Sequence, residues 1–267
     1  MDVTKIKVFG ERNTGTNFVE QLLKSNVDCE IVSGNLSRFY SWRFSLAYKL
    51  LPPDHAYRYV ERSRDRIFEN RFEIDGGWKH AKTPNFPSGI DAYPEGMGLI
   101  AITKNPYAWL LSLHKRPYQG TTHTRFNPLP FSQFIREPWI TVGRECAKSD
   151  YDTPIHLWND KVTSYFTLHK CAPTMIHQYE KIIGDIPQFL ADVSDTFKIS
   201  TLKHPEIPSS SSKKDGRTTQ DITNYYRNNM WRSSITDEDM IFINSNLDIT
   251  IMDRIGYPVI SVNNISS

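Results

Sequence analysis

The strongest constraint on what this chain can fold into is a short unit that occurs twice: a strand, a polar turn, and a helix that starts at once. In the first copy, Thr4-Lys5-Ile6-Lys7-Val8-Phe9 reads as a strand closing on Gly10. The loop Glu11-Arg12-Asn13-Thr14-Gly15-Thr16-Asn17 follows, and then Phe18, Val19, Leu22 and Leu23 recur at helical spacing, so a helix opens near Thr16. In the second copy, Gly98-Leu99-Ile100-Ala101-Ile102-Thr103 is a continuous apolar run, the signature of a strand buried on both faces. Lys104-Asn105-Pro106 then turns into Tyr107 to Leu113, with Pro106 suited to a first helical turn. Strands that alternate with helices in this way predict an α/β fold, a central parallel sheet flanked by helices.

The rest of the chain is compatible with that class. Ser37 to Leu51 is aromatic-rich and stops at Pro52-Pro53. Glu61, Asp65, Glu69 and Glu73 repeat every fourth position among Arg58, Arg62 and Arg66, which predicts a salt-bridge-laced, solvated helical face. Pro84 to Pro94 reads as loop, Ile155 to Leu168 as helix, Thr174 to His177 as strand and Ile186 to Phe197 as helix. Pro205 to Gln220, with four consecutive serines and then Lys213, Lys214, Asp215, Gly216 and Arg217, reads as a mobile basic loop. Helices are predicted through Tyr225-Tyr226 and over Asp237 to Ile255. No internal repeat or domain boundary interrupts the 267 residues, so one domain with a substantial core is expected over 1–267.

Charge limits the partners. Thirty-two basic residues against 30 acidic ones leave a net charge of +2, which excludes the broad basic surface of a nucleic-acid coat. Any anion must therefore be met by a few placed cations. Three cysteines (Cys29, Cys146, Cys171) without close pairing favour a reducing compartment. Met1 to Phe9 is too short and too charged for a signal peptide, and no stretch nears the roughly 18 apolar residues of a membrane span. A cytoplasmic protein is expected, with its oligomeric state left open.

Gly10 to Asn17 has the glycine spacing of a phosphate-binding loop, in which backbone N–H groups converge on an anion at a helix N-terminus. A nucleotide triphosphatase would continue with Lys and Ser/Thr, but here Thr16 and Asn17 stand at those places. The anion cradle is kept without the magnesium ligand. On spacing alone, an ordinary strand-to-helix turn fits as well. In the second unit Lys104 ends the strand and Ser112 lies eight residues on, about two helical turns away, so a cation and a hydroxyl could grip one phosphate.

Together these segments resemble the sulfotransferases that use 3'-phosphoadenosine 5'-phosphosulfate (PAPS). Thr14-Gly15-Thr16-Asn17 is similar to that family's 5'-phosphosulfate loop, and Lys104-Asn105-Pro106 with Ser112 is similar to its 3'-phosphate motif. The run Gly10-Glu11-Arg12-Asn13-Thr14-Gly15-Thr16-Asn17 looks closer still to a microbial sulfotransferase-like branch, which shares Trp78-Lys79-His80 and Pro106-Tyr107-Ala108-Trp109; Tyr179-Glu180 is also family-like. The resemblance implies a P-loop-NTPase-like sulfotransferase fold, with PAPS as co-substrate, no metal, and a small-molecule or carbohydrate acceptor. It implies Asn13, Thr14, Gly15, Thr16 and Asn17 at the 5'-phosphosulfate, Lys104 and Ser112 at the 3'-phosphate, and Lys213, Lys214, Gly216 and Arg217 as a loose counterpart of the basic glycine loop. The family's loop lysine aligns with Asn13, so Arg12 or Lys79 would neutralise the leaving group. His80 is the candidate base, with His114 and His123 in reserve. Trp78, Trp109 and Trp139 are candidates to wall a pocket, and Arg116 to Trp139 to line the acceptor. The rival readings are a P-loop kinase or hydrolase and a non-catalytic nucleotide binder.

Overall fold

The computed structural model describes residues 2–36, 38–117, 129–209 and 216–262. Four strands, β1 (Lys5–Gly10), β2 (Glu30–Val32), β3 (Met97–Thr103) and β6 (Thr174–Gln178), form one sheet in the order β2-β1-β3-β6, and every pair is parallel. Two further two-residue strands, β4 (Trp139–Ile140) and β5 (Asp150–Tyr151), pair only with each other. In the central pair Gly10 stands beside Ile102, so β1 and β3 end nearly level. From β1 the chain passes through α1 (Thr16–Asn26) to β2 on one side. From β3 it passes through α5 (Pro106–Lys115) and eventually to β6 on the other. The two connections diverge between β1 and β3, and in open α/β sheets that divergence leaves a crevice at the carboxyl ends of the strands.

Alternation along the strands splits the core in two. Ile6, Val8, Ile100 and Ile102 pack with Phe18, Val19, Leu22 and Leu23 of α1 and with α9 (Ile186–Phe197). Phe9, Leu99 and Ala101 pack on the opposite face with α5 and α7 (Pro154–Tyr165). The predicted α/β class, the parallel sheet and both strand–loop–helix units are present.

Three details differ from the sequence reading. The helix expected over 237–255 is two, α11 (Asp237–Asn246) and α12 (Ile249–Ile255), because the Asp248 carboxylate accepts from the N–H groups of Thr250 (2.9 Å) and Ile251 (3.3 Å) and starts a new helix. Glu61, Asp65 and Glu69 of the acidic repeat lie on α3 (Pro53–Asn70), packed on α2 (Arg38–Leu50), and Glu73 lies beyond it in a one-turn helix at Phe72–Asp75; Glu69 and Glu73 are exposed as expected, but Glu61 is buried and Asp65 half-buried. Glu61 holds Arg64 and Arg144 (2.6 Å each), and Asp65 holds Arg144 (3.1 Å), from a one-turn helix at Gly143–Glu145. Arg58, Arg62 and Arg66 are exposed and enter none of the ion pairs among the described residues. Finally, Thr219 and Gln220 belong to α10 (Thr219–Arg227), begun by a capping box between Thr218 and Asp221. Gly216 and Arg217 precede it, while Lys213 and Lys214 lie outside the described residues. The three cysteines are free, and no described helix is long and apolar enough to cross a membrane.

Candidate functional site

The loop after β1 is drawn tight by its own residues. The Thr14 N–H and hydroxyl both donate to the Glu11 carbonyl (3.1 and 2.6 Å). Asn13 (φ 67°) and Gly15 (φ 91°) are left-handed. A Cβ on Gly15 would run into the Tyr179 ring, and one on Gly10 would meet Thr14 Oγ1 at 2.7 Å and the Ile102 carbonyl at 2.9 Å. Both glycines are thus required by close approach. Gly15 is the N-cap of α1; no side chain caps this end, and its first turn carries no acidic residue. The Phe18 N–H is taken by the Gly15 carbonyl (2.9 Å), so the Thr16 and Asn17 N–H groups and the positive end of the helix dipole are what this end offers an anion.

The second wall comes from β3 and α5. Asn105 caps α5 by accepting from the Tyr107 and Ala108 N–H groups (3.1 and 3.4 Å), and this sends the helix back over Lys104. Lys104 Nζ donates to Ser112 Oγ at 2.8 Å and to the Asn13 carbonyl at 3.3 Å. The lysine–serine spacing therefore closes as the sequence predicted, and the pair is joined to the first loop. Lys104 is buried, its ammonium 4.9 Å from the Tyr226 ring centre and 5.9 Å from that of Tyr179. Burial pushes its pKa down to about 8, opposed by Glu180 and assisted by the charge of Arg217, which brings the Gly216-Arg217 end of the basic segment into the electrostatics of this site. Glu180 itself accepts from the Asn105 N–H (3.0 Å) and the Tyr257 hydroxyl (2.8 Å).

Trp78-Lys79-His80 forms a third side. The Gly10 N–H donates to the Lys79 carbonyl (3.0 Å), and His80 Nδ1–H donates to the Gly10 carbonyl (2.6 Å). That bond assigns the tautomer and leaves Nε2 with the lone pair. Burial, with the charges of Lys79 and Arg12 beside it, holds the His80 pKa well below the usual histidine value, so the ring is neutral. Lys79 is buried and donates to Asn17 Oδ1 (2.5 Å) and to Glu20 (3.1 Å), which ties it to α1. Arg12 stacks its guanidinium 4.9 Å from the Trp78 ring centre, and Arg144 lies 4.6 Å from the same ring. Arg12, Asn35, Ser41, Arg64, Trp78 and Arg144 are among the residues lining a polar cavity of about 280 Å³ that opens beside the loop.

Other sequence candidates belong elsewhere. His114 Nε2–H donates to the Leu129 carbonyl (2.7 Å) among Phe131 and Phe134, and His123 lies outside the described residues. Trp109 and Trp139 are core residues; the Trp109 indole N–H donates to the Arg12 carbonyl (2.8 Å). Of the stretch Arg116 to Trp139, residues 118–128 lie outside the described set, and Phe134, Ile135 and Trp139 are core.

Two site residues escaped the sequence reading. Tyr226 meets Lys104 from α10, some 120 residues later in the chain. Lys161 is fully buried between Glu11 and Glu145 (2.8 Å to the latter) and donates to the His80 carbonyl (2.8 Å). A signal existed for Lys161: it interrupts the buried stripe Trp158, Val162 and Tyr165 of α7, where a lysine must have buried partners.

No family model matches the chain, and no curated relative matches it. Among solved structures it is similar to a sulfotransferase from Alicyclobacillus acidocaldarius, at 12% identity over 97% of each chain with a TM-score of 0.47. It is also similar to a retinol dehydratase solved with androsterone and the inactive cofactor PAP, at 12% identity over 99% of this chain and 84% of that one, with a TM-score of 0.41. Likeness at this level carries no inference about ligand or chemistry.

Proposed function

We propose that the chain transfers a sulfuryl group from PAPS to a hydroxyl or amine of an acceptor. The observation that carries this reading is the buried contact of Lys104 Nζ with Ser112 Oγ and the Asn13 carbonyl. It sets a cation and a hydroxyl beside an uncapped helix N-terminus, at the point where the sheet's connections diverge. A nucleotide with phosphates at two ends matches that pair of subsites. A magnesium nucleotide matches less well, because Asn17 stands where Ser or Thr would bind the metal and its carbonyl oxygen is engaged by Lys79.

In this reading the N–H groups of Thr16 and Asn17, with Thr14 and Gly15, receive the 5'-phosphosulfate. Lys104, Ser112 and the Tyr226 hydroxyl receive the 3'-phosphate, with Gly216 and Arg217 as outer cover. The co-substrate supplies an activated sulfuryl group, whose bond to the 5'-phosphate breaks as the acceptor's oxygen or nitrogen bonds to sulfur. His80 Nε2 takes the acceptor's proton, its lone pair kept available by the Nδ1–H bond to Gly10. Arg12 neutralises the charge that gathers on the departing phosphate, and Lys79 orients Asn17 and so acts on the loop from behind. The acceptor enters through the polar cavity beside Arg12.

Thermal-shift titration tests the reading. Adenosine 3',5'-bisphosphate should stabilise the protein more than AMP or ATP with Mg²⁺, and stabilisation by ATP with Mg²⁺ alone would sink it. Bisphosphate binding without transfer of labelled sulfate to any acceptor in a broad panel would favour a binding module.

A further inference from the structure

Helix α2 carries apolar residues on more than one face, and one face is covered while another is not. Phe44 and Ala47 are buried against Val60 of α3, with Tyr40 and Ile67 around them. On the other side Phe39 (63% exposed), Trp42 (63%), Leu46 (40%) and Leu50 (72%) follow one another at i, i+3, i+7 and i+11, one stripe running the length of the helix. Scattered exposed apolar residues need no explanation, but an aromatic and aliphatic row on a single face does.

The charges around the stripe choose its partner. The helix Arg38–Leu50 contains no acidic residue. By helical spacing Arg43 and Lys49 border the stripe on its two sides, and both are exposed. The Arg43 guanidinium donates to the Tyr59 hydroxyl of α3 (3.3 Å). Tyr59 heads a row with Arg62 and Arg66 at i, i+3 and i+7, so the basic edge continues onto the next helix. Neither arginine of that row is paired among the described residues. Glu69 ends the row, and Asp54 lies at the start of the same helix. Aromatic and aliphatic side chains bordered by long basic ones that can carry their charges up to the headgroups are the design of a helix lying in a bilayer interface.

We propose that α2 docks the protein on an anionic lipid surface, with Phe39, Trp42, Leu46 and Leu50 entering the interface and Arg43, Lys49, Arg62 and Arg66 meeting lipid phosphates. The helix is 13 residues long and half of it is packed on α3, so it lies on the membrane rather than spanning it. This proposal is independent of the sulfuryl-transfer reading, since none of these side chains belongs to the nucleotide subsites.

Co-sedimentation of the full chain tests it, with vesicles of pure phosphatidylcholine and of phosphatidylcholine containing about 30% phosphatidylserine. The chain should partition onto the second vesicles and only weakly onto the first, and raising salt from about 0.1 M to 1 M should release much of it. Phe39→Ser with Trp42→Ser should abolish binding. Arg43→Glu with Lys49→Glu should lower the partition on the order of 30-fold or more. Both pairs are exposed, so an unchanged melting temperature certifies the fold. Equal binding to the two vesicle types, or binding indifferent to both variants, overturns the proposal. So does a concentration-dependent dimer that Trp42→Ser disperses in a chain that binds no vesicles, for then the stripe covers a second copy.

Discussion

Lys104 combines two properties that rarely coexist: it is buried, and the groups its ammonium touches are neutral oxygens and aromatic faces. An anionic ligand would relieve that arrangement. Lys104→Ala is expected to weaken adenosine 3',5'-bisphosphate by about 1.5–3 kcal/mol, the usual worth of a charge-assisted bond. The titration has a sign that can be checked. With a pKa of about 8 in the free protein, Lys104 is charged below that value and neutral above it. Bisphosphate affinity should fall as pH rises through 8, and the alanine variant should lose that slope. Isothermal titration across pH 6–9.5 would show both. His80 runs the other way. Because its pKa is held well below the ordinary value, the imidazole stays an unprotonated base, and turnover should not fall between pH 7.5 and 6. His80→Ala should lower kcat by about 10²–10⁴-fold while leaving bisphosphate affinity nearly unchanged. Full activity in that variant would move the base elsewhere.

The loop between β1 and α1 is held by steric fit as much as by hydrogen bonds. Gly15→Ala meets two penalties at once, a left-handed φ and overlap with the Tyr179 ring. The expected loss is about 2 kcal/mol or more in urea unfolding. Adding Tyr179→Ala should remove the overlap and leave only the backbone part, so the double variant should lose less than the sum of the singles. This loop was also the most legible part of the sequence, for a physical reason. An apolar strand, two glycines and an amphipathic helix are local signals, and the eight-residue step from Lys104 to Ser112 lies within one helix register. The break between α11 and α12 is local too, and Asn244-Ser245-Asn246 ahead of the Asp248 cap was the turn signal that marked it. What could not be read were meetings across long stretches of chain. Tyr226 on Lys104 and Arg144 on Glu61 depend on how the elements dock. The repeat of Glu61, Asp65, Glu69 and Glu73 predicted a solvated face, and it missed the cover over Glu61 and Asp65 for the same reason, since spacing says nothing of which neighbour covers a helix.

At the scale of the whole molecule, the cation that matters most for integrity is one that would touch no ligand. Lys161 ties the β1 loop through Glu11, the Trp78–His80 segment through the His80 carbonyl, and the turn before β5 through Glu145. All three groups sit in the interior, where burial lowers the lysine's pKa but Glu11 and Glu145 together hold it above the ordinary value. Burial meanwhile raises that of Glu145. Lys161→Met would leave two carboxylates without their counter-charge, and breaking a buried ionic network from one side costs about 3–5 kcal/mol. The loss should depend on pH. Without the lysine, the folded chain keeps a proton on the buried Glu145 to higher pH than the unfolded chain does. Stability then falls as pH rises through that window, and the variant should be least impaired near pH 5 and most impaired near pH 8. Adding Glu145→Gln to Lys161→Met should restore part of the stability at pH 8, because one of the two uncompensated charges is gone. Urea unfolding of the three chains at both pH values decides the matter: a deficit for Lys161→Met that is the same at pH 5 and pH 8 would mean that the lysine acts by packing alone, and not as the charge that joins the β1 loop to the rest of the fold.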